Sequence, residues 1–359
     1  MSAPGLGRRT EVQLRFNDVD VTADLSGYLL GMTYTDDSGG AADDLRLTLE
    51  DRDGIWLKHW LRKEPDSAGM SEDGSGTETA RYTKISAVIA VRNADGNGGD
   101  LVLDCGSFEL DNVQISGPPT TAELSATALS YESAVRKTLR YRSWTGTNLR
   151  AVAGTIAGGG GYGLMYLASC NPSYPFLLQE DESDIAFLLR LCSRHALKLK
   201  VTAGSLVIYD PMEQDAQAAA RVIRYGDGSY SRFRLTAALN RTAYSACRVT
   251  YDDDRGGSYS GSYKPETEFS GGEVLELTRQ VSSDGEAREL AHRALRAANR
   301  GQVTGQFSMA GDPRMTAGVN IELEGFGDFD GKYAVEKSTH TVQGAYTTQI
   351  EITKVIEGY

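Results

Sequence analysis

Hydrophobic and polar residues alternate with a period of two over most of the first third of the chain. "EVQLRF" from Glu11, "DLRLTLED" from Asp44, "ISAVIAV" from Ile85, "DLVLDCGSFEL" from Asp100 and "AELSATAL" from Ala122 each put apolar side chains on one face of an extended strand. Between them, "KEPDSAGMSEDGSGTET" (Lys63 to Thr79) is polar, rich in Gly and Ser and poor in bulky apolar residues, which predicts a long exposed loop.

From about Trp144 the period becomes helical. In "TNLRAVAGTIAGGGG", Leu149, Val152, Ala153 and Ile156 recur at i, i+3, i+4 and i+7, and Gly158 is expected to end the helix in the left-handed conformation. A phosphate loop would need Gly-Lys-Ser/Thr opening a following helix, whereas Gly161 leads into "YGLMYL". A second helix is predicted within "QEDESDIAFLLRLCSRHAL" (Gln179 to Leu197), with Ser183 as N-cap and an apolar stripe of Ile185, Leu188, Leu189, Cys192 and Ala196. "LKLKVTAGSLVIYDP" then reads as a hairpin stopped by Pro211. The last segment is again strand-rich. One helix is predicted at about 284–299, where Ser283 and Glu286 have capping-box spacing and Ala287, Leu290, Ala291, Ala294, Leu295 and Ala298 line a face. The expected organisation is mainly β with an α+β insertion: β regions at 1–135 and 217–359 and a small α+β domain at 136–216.

The two β regions share an echo. "GSFELD" at Gly106 and "GKYAVE" at Gly331 both read Gly, any, aromatic, any, apolar, acidic, and each is followed by an alternating strand. A duplicated β-domain is the reading this supports.

Composition narrows the function classes. Forty glycines, nine prolines and eighteen tyrosines in 359 residues agree with a β-rich chain. The net charge of −12 argues against stable nucleic acid binding and against adhesion to anionic membrane, both of which need a positive surface. No apolar run approaches a membrane span, and the first residues lack the apolar core of a signal peptide, so folding in the cytoplasm is expected. Cys105, Cys170, Cys192 and Cys247 are scattered and contain no CxxC pair, which points to free thiols.

The carboxylates of Gln179 to Leu197 invite an active-site reading, but they cluster at one predicted helix end, whereas acid/base catalysis wants two carboxyls facing across a substrate. Read as helix-end charges, Asp181 and Asp184 together would contribute about 0.5–2 kcal/mol through cap and dipole effects. At helical spacing His195 has only the Cys192 thiol beside it, and His292 has no HExxH partner. "NADGNGGDLVLD" places Asn93, Asp95, Asn97 and Asp104 at calcium-loop positions, without the bidentate Glu or the flanking helices. The Asn-Gly and Asp-Gly dipeptides between two strand patterns favour a hairpin tip instead. "DDDRGG" from Asp252 reads as a turn. No cofactor, catalytic or firm metal site is predicted, and the chain is expected not to be an enzyme.

The blocks "QEDESDIAFLLRLCSRHALKLKVTAGSLVIYDP", "WTGTNLRAVAGTIA" and "GDPRMTAGVNIELEGFGDFDGKYAVEKSTHTVQGAYTTQIEI" resemble, in order, segments of the late control protein D family of phage tails. The carried-over positions are Ser183, Asp184, Phe187 and Leu188 in the first block and Gly331, Tyr333, His340 and Gly344 in the last, all in structural roles. The resemblance implies the central baseplate hub of a contractile tail or tail-like particle, related to the N-terminal part of type VI secretion spike proteins. It implies two β-barrel-like hub domains per chain and a homotrimer forming a pseudo-sixfold ring. That ring would adapt the hexameric tail tube to a separate trimeric spike, beside other baseplate components and the tape measure, in a particle assembled in the bacterial cytoplasm. A tail-associated cell-wall hydrolase and a hub component of a type VI-like spike are the alternatives.

Overall fold

The computed structural model describes residues 7–39, 42–54, 84–94, 98–128, 134–202, 204–238, 244–252, 256–265 and 272–356, and the architecture is mainly β with few helices. The loop expected at Lys63–Thr79 lies outside the described residues. No described helix is long and apolar enough to cross a membrane.

The first third forms β1 (Arg9–Phe16), β2 (Val19–Asp20), α1 (Thr22–Leu25), β3 (Leu29–Asp37), β4 (Asp44–Glu50), β5 (Lys84–Arg92), β6 (Leu101–Ser116) and β7 (Thr121–Thr127). Their order in the sheet is β3-β4-β7-β6-β5-β1-β2, with every pairing antiparallel. Alternation fixes the register. Leu45, Leu47 and Leu49 face Ala126, Leu124 and Ala122 across the β4–β7 ladder, and all six are buried. A one-residue slip would turn those leucines to water, at about 1.5–3 kcal/mol each.

The middle of the chain forms α2 (Ala134–Lys137), β8 (Leu139–Asn148), α3 (Leu149–Gly159), β9 (Gly163–Tyr166), β10 (Ser173–Ser183), α4 (Asp184–Arg194), β11 (Lys198–Thr202), β12 (Ser205–Tyr209) and α5 (Pro211–Asp215). β8 pairs with β10, while β12 takes β11 antiparallel and β9 parallel. Val152, Ile156, Phe187, Leu188, Leu191 and Ile208 share its core. Three expectations change. α3 runs past Gly158, and the left-handed residue is Gly161 (φ +75°), because the chain reverses only after Gly160. The buried stripe of α4 is Phe187, Leu188, Leu191 and Cys192, rotated from the predicted one, so Ile185 and Leu189 are only partly covered. Pro211 opens α5 instead of stopping the chain, since its missing N–H is harmless in a first turn that Asp210 caps at Met212 N, 2.8 Å.

The remainder forms β13 (Ala219–Arg224), β14 (Arg232–Ala237), β15 (Ala246–Asp252), β16 (Ser258–Tyr263), β17 (Val274–Thr278), α6 (Asp284–Asn299), β18 (Val303–Ala310), β19 (Asn320–Glu324), β20 (Gly331–Gln343) and β21 (Ala345–Lys354). The Ser283 hydroxyl accepts from Glu286 N (3.1 Å), while the Glu286 carboxylate accepts from Ser282 N (2.8 Å), one residue before the expected partner. α6 covers the β16-β15-β17 sheet with Ala287, Leu290, Ala291 and Leu295. Ala298, placed on that face by periodicity, is exposed; Asn299 is buried instead, bonded to Tyr244 N and O at 2.9 Å each.

The other strands of this part repeat the strand order of the first third. β14-β18-β21-β20, continued from β20 by β19 and then β13, corresponds in chain order and neighbours to β3-β4-β7-β6-β5-β1. The correspondence is local as well. Gly106 and Gly331 have positive φ (+91° and +120°), Phe108 and Tyr333 two residues on are buried, and each ladder then skips one residue, Asp111 or Glu336. It breaks at the far edge, where β1 is antiparallel to β5 but β13 parallel to β19, and β15 to α6 intervene between β14 and β18. The halves meet where Lys337–Val342 of β20 pair with Met32–Asp37 of β3, making one 13-stranded sheet.

Candidate functional site

The acidic stretch divides between a strand and a helix. β10 carries Glu180, Asp181 and Glu182 up to Ser183, with a register break between Gln179 and Glu182 and a left-handed Asp181 (φ +48°). The Ser183 hydroxyl accepts from Ala186 N at 3.3 Å, capping α4. Asp184 is buried: Arg140 donates to its Oδ2 at 3.1 Å, while Gln179 Nε2, at 2.9 Å, and Arg142 share its Oδ1. Gln179 Oε1 accepts from Arg142 Nε at 3.0 Å, so β8, β10 and α4 are bound at one point. Glu182 is held by Arg190, which also donates to Leu178 O at 3.0 Å. Each of these two carboxylates is engaged by arginine, and Glu180 and Asp181 are exposed. Phe187 and Leu188 are fully buried on the inner face of α4.

His195, at the end of α4, is buried against Tyr174, and burial together with Arg293, Arg194 and Arg279 pushes its pKa down to about 3. Burial pushes the Cys192 thiol up to about 12. Both are therefore neutral at physiological pH, and the stretch presents no activated nucleophile. A cleft of about 410 Å³ lies between α4 and α6, lined by Arg194, Arg279 and Arg293, with Asp210 as the carboxylate in its lining.

The C-terminal positions are also structural. Gly331 opens β20, and Gly344 (φ +69°) makes the turn into β21. Tyr333 is buried with its hydroxyl donating to Phe329 O at 2.8 Å. His340 is fully buried; its Nε2 meets the carbonyl of Met315 at 3.1 Å, so Nε2 carries the proton and Nδ1 accepts from the Tyr346 hydroxyl at 2.8 Å. Burial lowers its pKa to about 4, keeping it neutral.

Of the calcium-loop residues, Asn93 and Asp104 fall on the β5–β6 hairpin. Asn93 Oδ1 accepts from Gly98 N at 2.7 Å, and Asp104 lies on β6 opposite Val88, its carboxylate accepting from Gly106 N at 2.9 Å. Asp95 and Asn97 lie outside the described residues, as do residues 253–255 of the turn predicted from Asp252. Among the described residues no three His, Cys, Asp or Glu side chains form a metal-holding group.

One network has no signature in the sequence. Where β3, β11, α5, α6 and β20 converge, Glu336 accepts from Ser38, Lys198 and Arg300, the last at 2.9 Å, and Arg300 also reaches Asp215 at 2.7 Å. Burial by itself would raise the Glu336 pKa, but Arg300 and Lys198 outweigh it and hold it at about 2. Beside it, Lys200 pairs with Asp36 and lies 4.0 Å from Asp43, whose pKa burial pushes up to about 6 against the pull of Lys200. The network fastens the middle of the chain onto the joint between the two sheet halves.

The sequence matches the model of the family described as phage tail baseplate hub (GPD) over residues 126–346, more than half of the chain. It is 28% identical over 244 residues to the probable baseplate hub protein of Escherichia phage P2 and 27% over 195 residues to that of Escherichia phage 186. Those alignments take in 66% and 54% of this chain, and about half the length of the relatives, 54% and 43%. The fold is similar to the tail protein from Neisseria meningitidis MC58 (TM-score 0.66, 11% identity, 96% of both chains). It is similar also to the 43 kDa tail protein of prophage MuSo2 from Shewanella oneidensis (TM-score 0.64, 12% identity, 96% of this chain and 98% of that one).

Proposed function

Because this chain belongs to the phage tail baseplate hub family, we propose that it is the structural hub at the centre of a contractile tail or tail-like injection particle, joining a hexameric tail tube to a trimeric spike. One observation carries the reading: a single chain holds the same strand order twice, joined edge to edge through β3 and β20. Three such chains supply six similar β units to a sixfold tube while keeping threefold symmetry for the spike. On this reading 1–135 and 217–359 are the two ring units and 136–216 lies between them. The partners are two further copies of the chain, a trimeric spike, the tube protein, other baseplate components and the tape measure. Assembly takes place in the bacterial cytoplasm, without stable nucleic acid binding or membrane insertion.

A cell-wall hydrolase is not favoured. The curated relatives are baseplate hub proteins, and Asp184 and Glu182 are neutralised by arginines instead of facing each other across a substrate. Mass measurement of the hub purified with its spike tests the reading. Three copies per complex is the expected result, and a stable dimer or tetramer would overturn it.

A further inference from the structure

Within the chain, the outer edge of the second half of β20 is covered by β3, with Thr339 opposite Thr35, His340 opposite Tyr34 and Thr341 opposite Thr33. In the repeated strand order β6 stands for β20 and β14 stands for β3. Among the described residues both of these edges are open. Lys84–Glu109 is the last described pair of the β5–β6 ladder, and along Leu110–Ser116 the neighbour of β6 among the described residues is β7, as that of β14 is β18. Each half of the chain thus carries one side of a joint that the chain already makes once with itself. β14 and β6 sit apart in the sheet, with β18, β21, β20, β3, β4 and β7 between them, about 34 Å along the sheet at the spacing of paired strands.

We propose that β14 of one copy adds to the second half of β6 of a second copy, in the register dictated by the internal joint. Aligning Gly106 with Gly331 puts Gln114 at the place of Thr339 and Ile115 at that of His340. The partner strand follows through its ladders. Thr35 lies across from Asp44, which lies across from Thr127; Thr236 lies across from Thr304, which lies across from Thr353. Thr127 and Thr353 match because Ala126 and Ile352 both pair with the last residue before the skipped one, Leu110 and Val335. The seam therefore sets Gln114 against Thr236, Ile115 against Leu235 and Ser116 against Arg234.

The side chains agree with this register. At the internal joint His340 and Tyr34 are buried; at the seam their counterparts are Ile115 and Leu235, both apolar and only partly covered in the single chain. Phe233, two residues along the same face of β14, is 38% exposed. Gln114, Ser116, Arg234 and Thr236 fall on the polar face. Main-chain bonding supplies affinity in such strand addition and the alternating side chains fix the register. The contact is head to tail, so it either closes on itself or runs on; that it closes after three copies rests on the hub reading, while the pairing does not.

The test uses tail particles assembled with the full chain carrying Q114C and T236C, oxidised and separated without reduction. T35C/T339C reports the same geometry within one chain, S116C/R234C is a second in-register pair, and Q114C/R234C reads a two-residue slip. Chains covalently linked to each other through either in-register pair, with the slipped pair unlinked, is the expected result. Particles that contain the chain but leave both in-register pairs unlinked, while T35C/T339C closes, would overturn the seam and leave the hub reading standing. Linking through the slipped pair alone would overturn the register. Absence of the chain from particles would overturn the hub reading and the seam with it.

Discussion

Replacing Glu336 by Gln should loosen the joint between the sheet halves, and the structure sets the size of the effect. The substitution keeps the shape and removes the charge that Arg300, Lys198 and Ser38 engage. A carboxyl held at about 2 instead of 4.5 stabilises the folded state by about 3 kcal/mol at pH 7, taking 1.36 kcal/mol per pH unit. Because the folded value is the lower one, this stabilisation is complete above pH 4.5 and is lost as the pH falls through 2; at pH 3 about 1.4 kcal/mol should remain. Urea unfolding of wild type and E336Q at pH 7, 4 and 3 measures the difference. It should shrink from about 3 to about 1.4 kcal/mol across that range. A difference below about 1 kcal/mol at pH 7, or one that does not change with pH, would refute the assignment of Glu336 as the charged centre of the joint.

Asp184→Ala should cost about 2–4 kcal/mol, since it leaves Arg140, Arg142 and buried Gln179 without their shared acceptor, whereas Asp181→Ala should stay within about 0.5 kcal/mol; chemical unfolding of each single variant separates the two. His340 is held near 4 in the fold against an ordinary 6.5, so the unfolded chain takes up its proton first and stability should fall as the pH drops from 6.5 to 4. The slope should be shallower in His340→Gln, read from unfolding midpoints at pH 7 and 4.5. If the acidic balance of the chain partly lines a channel, the assembled hub should not retain duplex DNA in a filter assay at about 0.15 M salt, and retention would refute the idea.

Strand positions were legible because alternation is a local signal. Leu45, Leu47 and Leu49 announce the buried face of β4 without reference to anything else in the chain. Helix α6 was legible for the same reason, since Ser283 caps it at Glu286 N and Gly301 follows its end in the left-handed conformation. The Gly106 and Gly331 echo carried more than its few residues suggest. It marks the place in each half where a ladder skips a residue, and the surrounding strand order is shared.

Long-range electrostatics were not legible. Asp184 reads in sequence as a helix-end charge worth, together with Asp181, about 0.5–2 kcal/mol, but its partners Arg140 and Arg142 lie on β8, brought near only by the β8–β10 pairing. Glu336 meets Ser38, Lys198 and Arg300 from three separate parts of the chain, and no spacing rule joins them. Ala298 was misplaced because at the last turn of α6 the buried positions go to Arg296 and Asn299, whose partners Asp215 and Tyr244 come from distant parts of the chain that the helical period cannot show.

A density map of the assembled particle at the junction of tube and spike tests the central claim most directly. The account predicts three copies of this chain there, their six β units arranged as a ring, with β14 of each copy laid along β6 of the next. Any other copy number at that junction, or a ring in which the units from 1–135 and 217–359 do not superpose, would contradict it.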